Sequence, residues 1–381
     1  MINYEQNKNC FDLTKHIKSR LLFKGSKVSK KPFMTVFIPT YNRVELLKEA
    51  VQSVINQQKV DFPWNLLIVD NEPYDGKMNK TEKYIRTLKI KNVLYYRNEQ
   101  MLRVGDNFNR GIYLSTSPWV MMLHDDDLLM RNTMQKVSTA LHCLTKIAPK
   151  ELGCLSTQYH QFKFDPQHPT AHKQELATLD EHYQHSPMLF KFWKCTHWNV
   201  LFTSFIGGDV PSNGTTYNRK AVMECGGFND DLGISADQVL LYCMENKYSV
   251  YSTLEPYGFY RWGINSMSKP ETTYRVIKDN FNFREYVFTK NCITKIWGML
   301  FRDCLYYHFT KAVLGARKLV SSEFCDFATY NDIYSRLPKR WKYKIWRRLF
   351  FKTYISLKHK QSRHIARTIK KQIKQEATCR K

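Results

Sequence analysis

The chain has 381 residues, 43% hydrophobic and 14% aromatic, enough for a packed interior and inconsistent with a mainly disordered protein. Its formal net charge of +25 demands an anionic partner or surface, and residues 339–381 hold +15 of it, with sixteen Lys and Arg against the single acid Glu376. Ten cysteines are scattered without zinc spacing, the N-terminal region has no signal-peptide core, and no apolar run approaches the ~18 residues of a membrane span. These features point to reduced thiols in a cytoplasmic protein that touches a membrane, if at all, from the side.

Residues 1–31 read as an extension in which Phe11, Leu13, Ile17, Leu21 and Leu22 suggest one short amphipathic helix. Residues 32–39 (PFMTVFIP) form a β-rich apolar run, followed by the turn Thr40-Tyr41-Asn42-Arg43 and a helical pattern over 44–57. The run 64–69 (WNLLIV) ends in Asp70-Asn71, residues 80–88 suit a helix, and 93–96 (VLYY) suit a third strand. A helix over 107–114 leads through Ser115 to Pro118 into the apolar run Trp119-Val120-Met121-Met122-Leu123. Strands and helices alternate at βα spacing, so the expected fold is α/β with a mostly parallel central sheet.

His124-Asp125-Asp126-Asp127 follows that last run directly. Three consecutive carboxylates repel one another, and the carboxyl end of a buried strand is the usual ligand position in an open α/β sheet. The run therefore points to a divalent cation, or to a cationic or hydroxyl-rich ligand. The competing reading is that Asp126 or Asp127 caps the next helix, expected over 132–144, although one aspartate suffices for a cap.

Further along, residues 153–164 read as a strand, 165–186 as a polar loop, 188–199 as helical, and 205–214 as a Gly- and Pro-rich loop. A short helix over 219–225 stops at Gly226-Gly227, the next helix starts at Ser235-Ala236-Asp237, and 248–254 is a strand. Beyond about residue 274 the β signals fade into consecutive helices. In the basic tail, Trp346, Leu349, Phe350, Tyr354 and Leu357 share one helical face, which suits either an anionic bilayer or packing on the domain.

In their order, these motifs resemble family 2 glycosyltransferases of the GT-A fold. Val36 to Arg43 is close to that family's opening, Ile68 to Pro73 stands at its uracil region, and Gly105 to Gly111 resembles the Asn-rich stretch before the metal strand. Leu123 to Asp127 corresponds to the DXD region, Gly226-Gly227-Phe228 to the GGF turn, and Asp237 to the catalytic base. The resemblance implies a catalytic domain over residues 32–273, followed by a helical basic region over 274–381. It further implies inverting transfer of a sugar from a nucleotide diphosphate, UDP in the first instance, to a glycan acceptor in capsule, exopolysaccharide or lipopolysaccharide synthesis.

On that reading Asp126 and Asp127, with Asp125 beside them, hold Mg²⁺ or Mn²⁺. Pro39, Thr40, Tyr41, Asn42, Arg43, Asp70, Asn71, Asn107 and Asp126 bind the nucleotide. Asp237 is the base, and Arg261, Asn265 and Ser266 lie near the diphosphate or acceptor, although Arg261 also suits a surface ion pair. Two departures from the family pattern stand out: His124 in place of the first aspartate, as a weaker site or a nitrogen ligand, and Asn71 in place of the second uracil-region aspartate. The implied location is peripheral, at the inner face of the cell membrane. The charge also suits a nucleic-acid-binding protein, but no RNP, KH, zinc or helix-turn-helix signature accompanies it. A non-catalytic nucleotide-sugar-binding protein of the same fold is the other alternative.

Overall fold

The computed structural model describes residues 3–5, 8–163, 171–184, 195–197, 214–233, 236–262, 270–318 and 339–379. At its centre lie four parallel strands in the spatial order β4-β3-β2-β5: β2 (Met34–Thr40), β3 (Trp64–Asp70), β4 (Val93–Asn98) and β5 (Trp119–Met122). Every residue of β2 and β5 is buried, as expected for strands covered on both faces. The pleat sends Val36 and Ile38 into one core with Leu47, Val51 and Val54 of helix α2 (Val44–Ile55), and Phe37 into the other with Ile112. The helix carrying Ile112, running Val104–Leu114, approaches so closely that a Cβ on its Gly111 would sit 2.2 Å from the Phe37 ring.

Pairing of Thr40 with Asp70 and of Phe37 with Met122 brings the strand ends to one edge of the sheet. The aspartates follow β5 in the turn before the two-residue strand Leu128–Leu129 (β6). The next helix, Thr133–Ile147, starts six residues after Asp127 with Asn132 at its cap position, so the aspartates do not cap it.

Antiparallel strands extend the parallel block on both sides. Ser19–Lys24 (β1) borders β4, so Leu21 and Leu22 lie in a strand, and the helix before them is confined to Cys10–Thr14. An open edge on β4 outcompetes the local helical pattern. On the far side, Thr216–Asn218 (β9) pairs with both β5 and Leu152–Lys163 (β7), and the latter runs parallel to the long strand Ser249–Trp262 (β10). Strand β10 also pairs antiparallel with β6, which carries Arg261 back toward the aspartates.

Two readings of the sequence change here. The expected loop over 165–186 contains the helix Ala171–Gln184, whose Leu176 packs on Met130, Phe162 and Phe259 and whose Asp180 pairs with Arg131 at 2.9 Å. With few apolar residues, that helix is held by tertiary contacts and not by its own periodicity. Within the expected helix over 188–199, Cys195–His197 is a strand (β8) against β10, and the other residues of that range lie outside those described. Of the glycine-rich loop over 205–214, Gly214 alone is among the described residues.

The C-terminal region is helical, as expected: Pro270–Phe288, Cys292–Lys318, Arg340–Trp346 and Thr353–Cys379. Its expected common apolar face is broken, because Arg347–Lys352 is π-helical and the wider turn shifts the register. Trp346 is buried with Phe288, Cys304 and Leu305, whereas Leu349 and Leu357 are exposed. The last helix inserts Ile365 and Ile369 into the core that also holds Leu141 and Leu144.

Candidate active site

Asn42 adopts a left-handed φ of 52°, and the turn it makes brings Arg43 over the aspartates. The Arg43 guanidinium donates to Asp125 Oδ1 at 3.2 Å and to Asp126 Oδ2 at 2.8 Å. The Thr40 hydroxyl donates to Asp125 Oδ2 at 2.8 Å, and the Tyr41 N–H also reaches this carboxylate. Burial, followed by the charge of Asp126, pushes the Asp125 carboxyl up to about 7 against the pull of Arg43 and these hydrogen bonds. Tyr41 itself remains 46% exposed, leaving its ring open to a stacking partner.

Asp127 is fully buried, and its Oδ1 accepts the Arg261 N–H at 2.9 Å. Its Oδ2 is buried without a hydrogen-bond partner among the described residues. Burial and the neighbouring Asp126 charge hold this carboxyl well above its ordinary pKa. An orphaned buried carboxylate oxygen is costly unless something compensates it. Ligand atoms of His124, Asp126 and Asp127 all lie within 4.8 Å of one another. Burial also lowers the His124 pKa, favouring the neutral ring, the form in which an imidazole ligates a metal. Two carboxylates and an imidazole form a donor set that suits a divalent cation, whereas both oxygens of Asp125 are engaged, Oδ2 by Thr40 and Oδ1 by the Arg43 that also binds Asp126 Oδ2.

Arg261 is buried, not at the surface. It donates through Nε to the Asp126 carbonyl at 2.8 Å and through a terminal nitrogen to Glu49 Oε2, on α2, at 2.6 Å. It thus fixes the backbone of the aspartate turn against α2 and β10. Arg261→Met is expected to cost about 3 kcal/mol, the low end for breaking a buried pair because Glu49 keeps partial access to water, and denaturant melts would measure it.

Other expected site residues belong to a neighbouring network. Asp70 accepts from the Glu72 N–H, Asn79 and Tyr95, and burial raises its pKa. Asn71 is buried with both ends of its amide engaged, donating to the Leu102 carbonyl and accepting from the Leu102 N–H and Asn98. Asn107 accepts from the same Asn98 at 2.9 Å. These amides tie the end of β3 to the 99–103 segment.

The Gly105–Gly111 stretch does its structural work through Asn109, whose side chain donates to the Phe228 carbonyl at 2.7 Å and accepts the Phe228 N–H at 2.8 Å. Gly226 and Gly227 have φ of 84° and 78°, and a Cβ on Gly227 would lie 2.3 Å from Asn109 Oδ1. The ring of Phe108 packs on both His124 and Phe228, linking this turn to the aspartates. Asp237 lies in the first turn of the helix Ala236–Lys247, half-buried, with its Oδ1 accepting the Gln238 N–H. Asn265, Ser266 and Ser235 lie outside the described residues. Sequence reasoning missed Glu49, Asn79, Asn98 and Asn109. Of these, only Asn109 left a readable trace, a polar residue on the buried side of an amphipathic helix.

Residues 35–142 match the family described as Glycosyl transferase family 2. The chain is 29% identical over 120 residues to abequosyltransferase RfbV of Salmonella typhimurium, which covers 31% of this chain and 36% of that protein. It is 27% identical over 106 residues to the uncharacterized glycosyltransferase MG060 of Mycoplasma genitalium, covering 26% and 34% of the two chains. The matches therefore span about a third of the length of these curated relatives. Among solved structures, S. aureus TarS 1-349 in complex with UDP-GlcNAc aligns over 90% of this chain and 92% of its own, at 12% identity and a TM-score of 0.48.

Proposed function

We infer, from the match of residues 35–142 to glycosyl transferase family 2, that the protein moves a sugar from a nucleotide diphosphate to a glycan hydroxyl in surface polysaccharide synthesis. We further propose that the reaction is metal-dependent and inverting, that the first donor class to test is UDP-linked, and that the enzyme works at the inner face of the cell membrane. The observation that carries the metal-dependent reading is the buried Asp127 Oδ2, without a hydrogen-bond partner among the described residues, beside His124 and Asp126.

His124, Asp126 and Asp127 would hold Mg²⁺ or Mn²⁺, which as a Lewis acid supplies charge neutralisation to the leaving diphosphate. The remaining roles belong to the chain itself. The open Tyr41 ring stacks on the base, Pro39 shapes the turn, and Thr40 and Asn42 bond the nucleoside. Asp70, oriented by Asn79 and Tyr95, faces the base edge. Asn71 and Asn107 act one step removed, by fixing the 99–103 segment. Arg43 neutralises Asp125 and Asp126 in the free protein and turns to phosphate oxygens when the donor arrives. Arg261 is a positioning residue for Asp127, while Asn265 and Ser266 are assigned to the diphosphate or acceptor. Asp237 takes the proton of the acceptor hydroxyl as the acceptor oxygen bonds to the anomeric carbon and the diphosphate departs from the opposite face, which inverts the configuration.

Thermal-shift titrations with UDP, GDP, CDP and dTDP, each with and without Mn²⁺, test this assignment on the wild type and Asp126→Ala. The expected result is stabilisation by one nucleotide that depends on Mn²⁺ and vanishes in the variant. If no nucleotide shifts the wild type, the aspartate turn is a structural feature and the transferase reading falls.

A further inference from the structure

We propose that the bare apolar stripe at the start of helix Cys292–Lys318, with the start of helix Arg340–Trp346, is the surface that seats this protein on an anionic lipid bilayer. This rests on the membrane-peripheral reading above and gives it a surface different from the tail face that the sequence suggests.

Ile293, Ile296, Met299 and Leu300 are 68%, 52%, 62% and 50% exposed. At 100° per residue they occupy an arc of about 120°, and Asp303 and Tyr307 continue that arc toward the C-terminus. The second helix covers this continuation. Lys342 bonds both oxygens of Asp303 at 2.8 Å, and the Tyr343 ring meets that of Tyr307 edge-on at 5.1 Å. The opposite face of the first helix is already packed, with Thr294, Leu305 and Phe309 buried and Gly298 tight against the Phe288 ring. The stripe is thus a second apolar face, half covered and half bare. Trp341, beside Lys342, is 61% exposed, and Ile345 and Leu349 extend the apolar surface along the chain.

Charge selects the occupant. Exposed Lys295, Arg340, Lys344, Arg347 and Arg348 accompany these residues. Asp303 is the sole acid of residues 286–318 and is bound to Lys342, and Glu376 is the sole acid of 339–381. Insertable Trp, Ile, Leu and Met beside cations with almost no acid match a headgroup layer with negative charge above an acyl boundary. Among the described residues no helix is long and apolar enough to cross a membrane, so this contact is made from the side.

The test is co-sedimentation of the full chain with phosphatidylcholine vesicles with and without phosphatidylglycerol. It compares the wild type with Ile296→Ser/Leu300→Ser/Trp341→Ser and with Lys344→Glu/Arg348→Glu. The wild type is expected to bind the anionic vesicles selectively, and each variant to bind them at least about tenfold more weakly with its melting temperature and nucleotide-induced shift retained. Unchanged binding by the serine variant overturns the proposal. So does a wild type that ignores vesicles but dissociates from a dimer to a monomer when the stripe is mutated, since the surface would then join protein chains. If vesicle binding depends on the stripe while no nucleotide shifts the wild type, the membrane surface stands and the transferase reading fails alone.

Discussion

Asp127→Asn is expected to lower sugar transfer on the order of 10²–10³-fold while raising the melting temperature of the metal-free protein. Both effects come from one oxygen. Asp127 Oδ2 is buried with no hydrogen-bond partner among the described residues, next to a second carboxylate, and the carboxyl's raised pKa reports how poorly the site tolerates its charge. Asparagine keeps an oxygen for the Arg261 N–H and replaces the repelled charge with a donor, so the free protein gains stability. The same change removes an anionic ligand, and the Mn²⁺-dependent response to nucleotide should go with it. Turnover at saturating donor and melts in chelator measure the two halves. Full activity would remove Asp127 from the proposed chemistry, and a lowered melting temperature would make its charge structural.

Asp237→Asn should reduce kcat by about 10²–10⁴-fold and leave the donor KM unchanged, as expected when a general base is lost but the donor pocket is not. The substitution is conservative for the fold. Asp237 Oδ1 accepts the Gln238 N–H at 2.8 Å, and an asparagine oxygen accepts it equally well. Asn109 and the paired glycines hold the GGF turn that precedes it in the chain. An unchanged kcat would leave Asp237 as a residue that only satisfies its helix start.

The part of the site legible in the sequence is the part built locally. β2, β3 and β5 are near-continuous apolar runs, so the apolar pattern alone locates their ends, and with them Thr40, Asp70 and the aspartates. The cap reading of the aspartates fails because the next helix starts at Thr133, one residue from where the sequence places it. Interactions set by long-range pairing left no such trace. Arg261 and Glu49 are 212 residues apart, and nothing in either neighbourhood announces the pair. The helix Ala171–Gln184 lacks a strong stripe, because a few leucines and one ion pair suffice once the sheet supplies the other wall. The tail's apolar face is misread from sequence because a π-helical segment breaks the 3.6-residue period on which the reading depends.

The contact of Arg43 with Asp125 and Asp126 gives the proposed site its own removable counter-ion. On the proposed reading, a cation arriving alone would have to displace a guanidinium and would gain little net neutralisation. A cation arriving with a diphosphate would meet a site whose guanidinium has a new anion to follow. Occupancy would then be an ordered, mutually dependent event, with free divalent ion a weak ligand and the nucleotide complex a strong one. Fluctuations in ionic composition would leave the resting protein unloaded until donor is present.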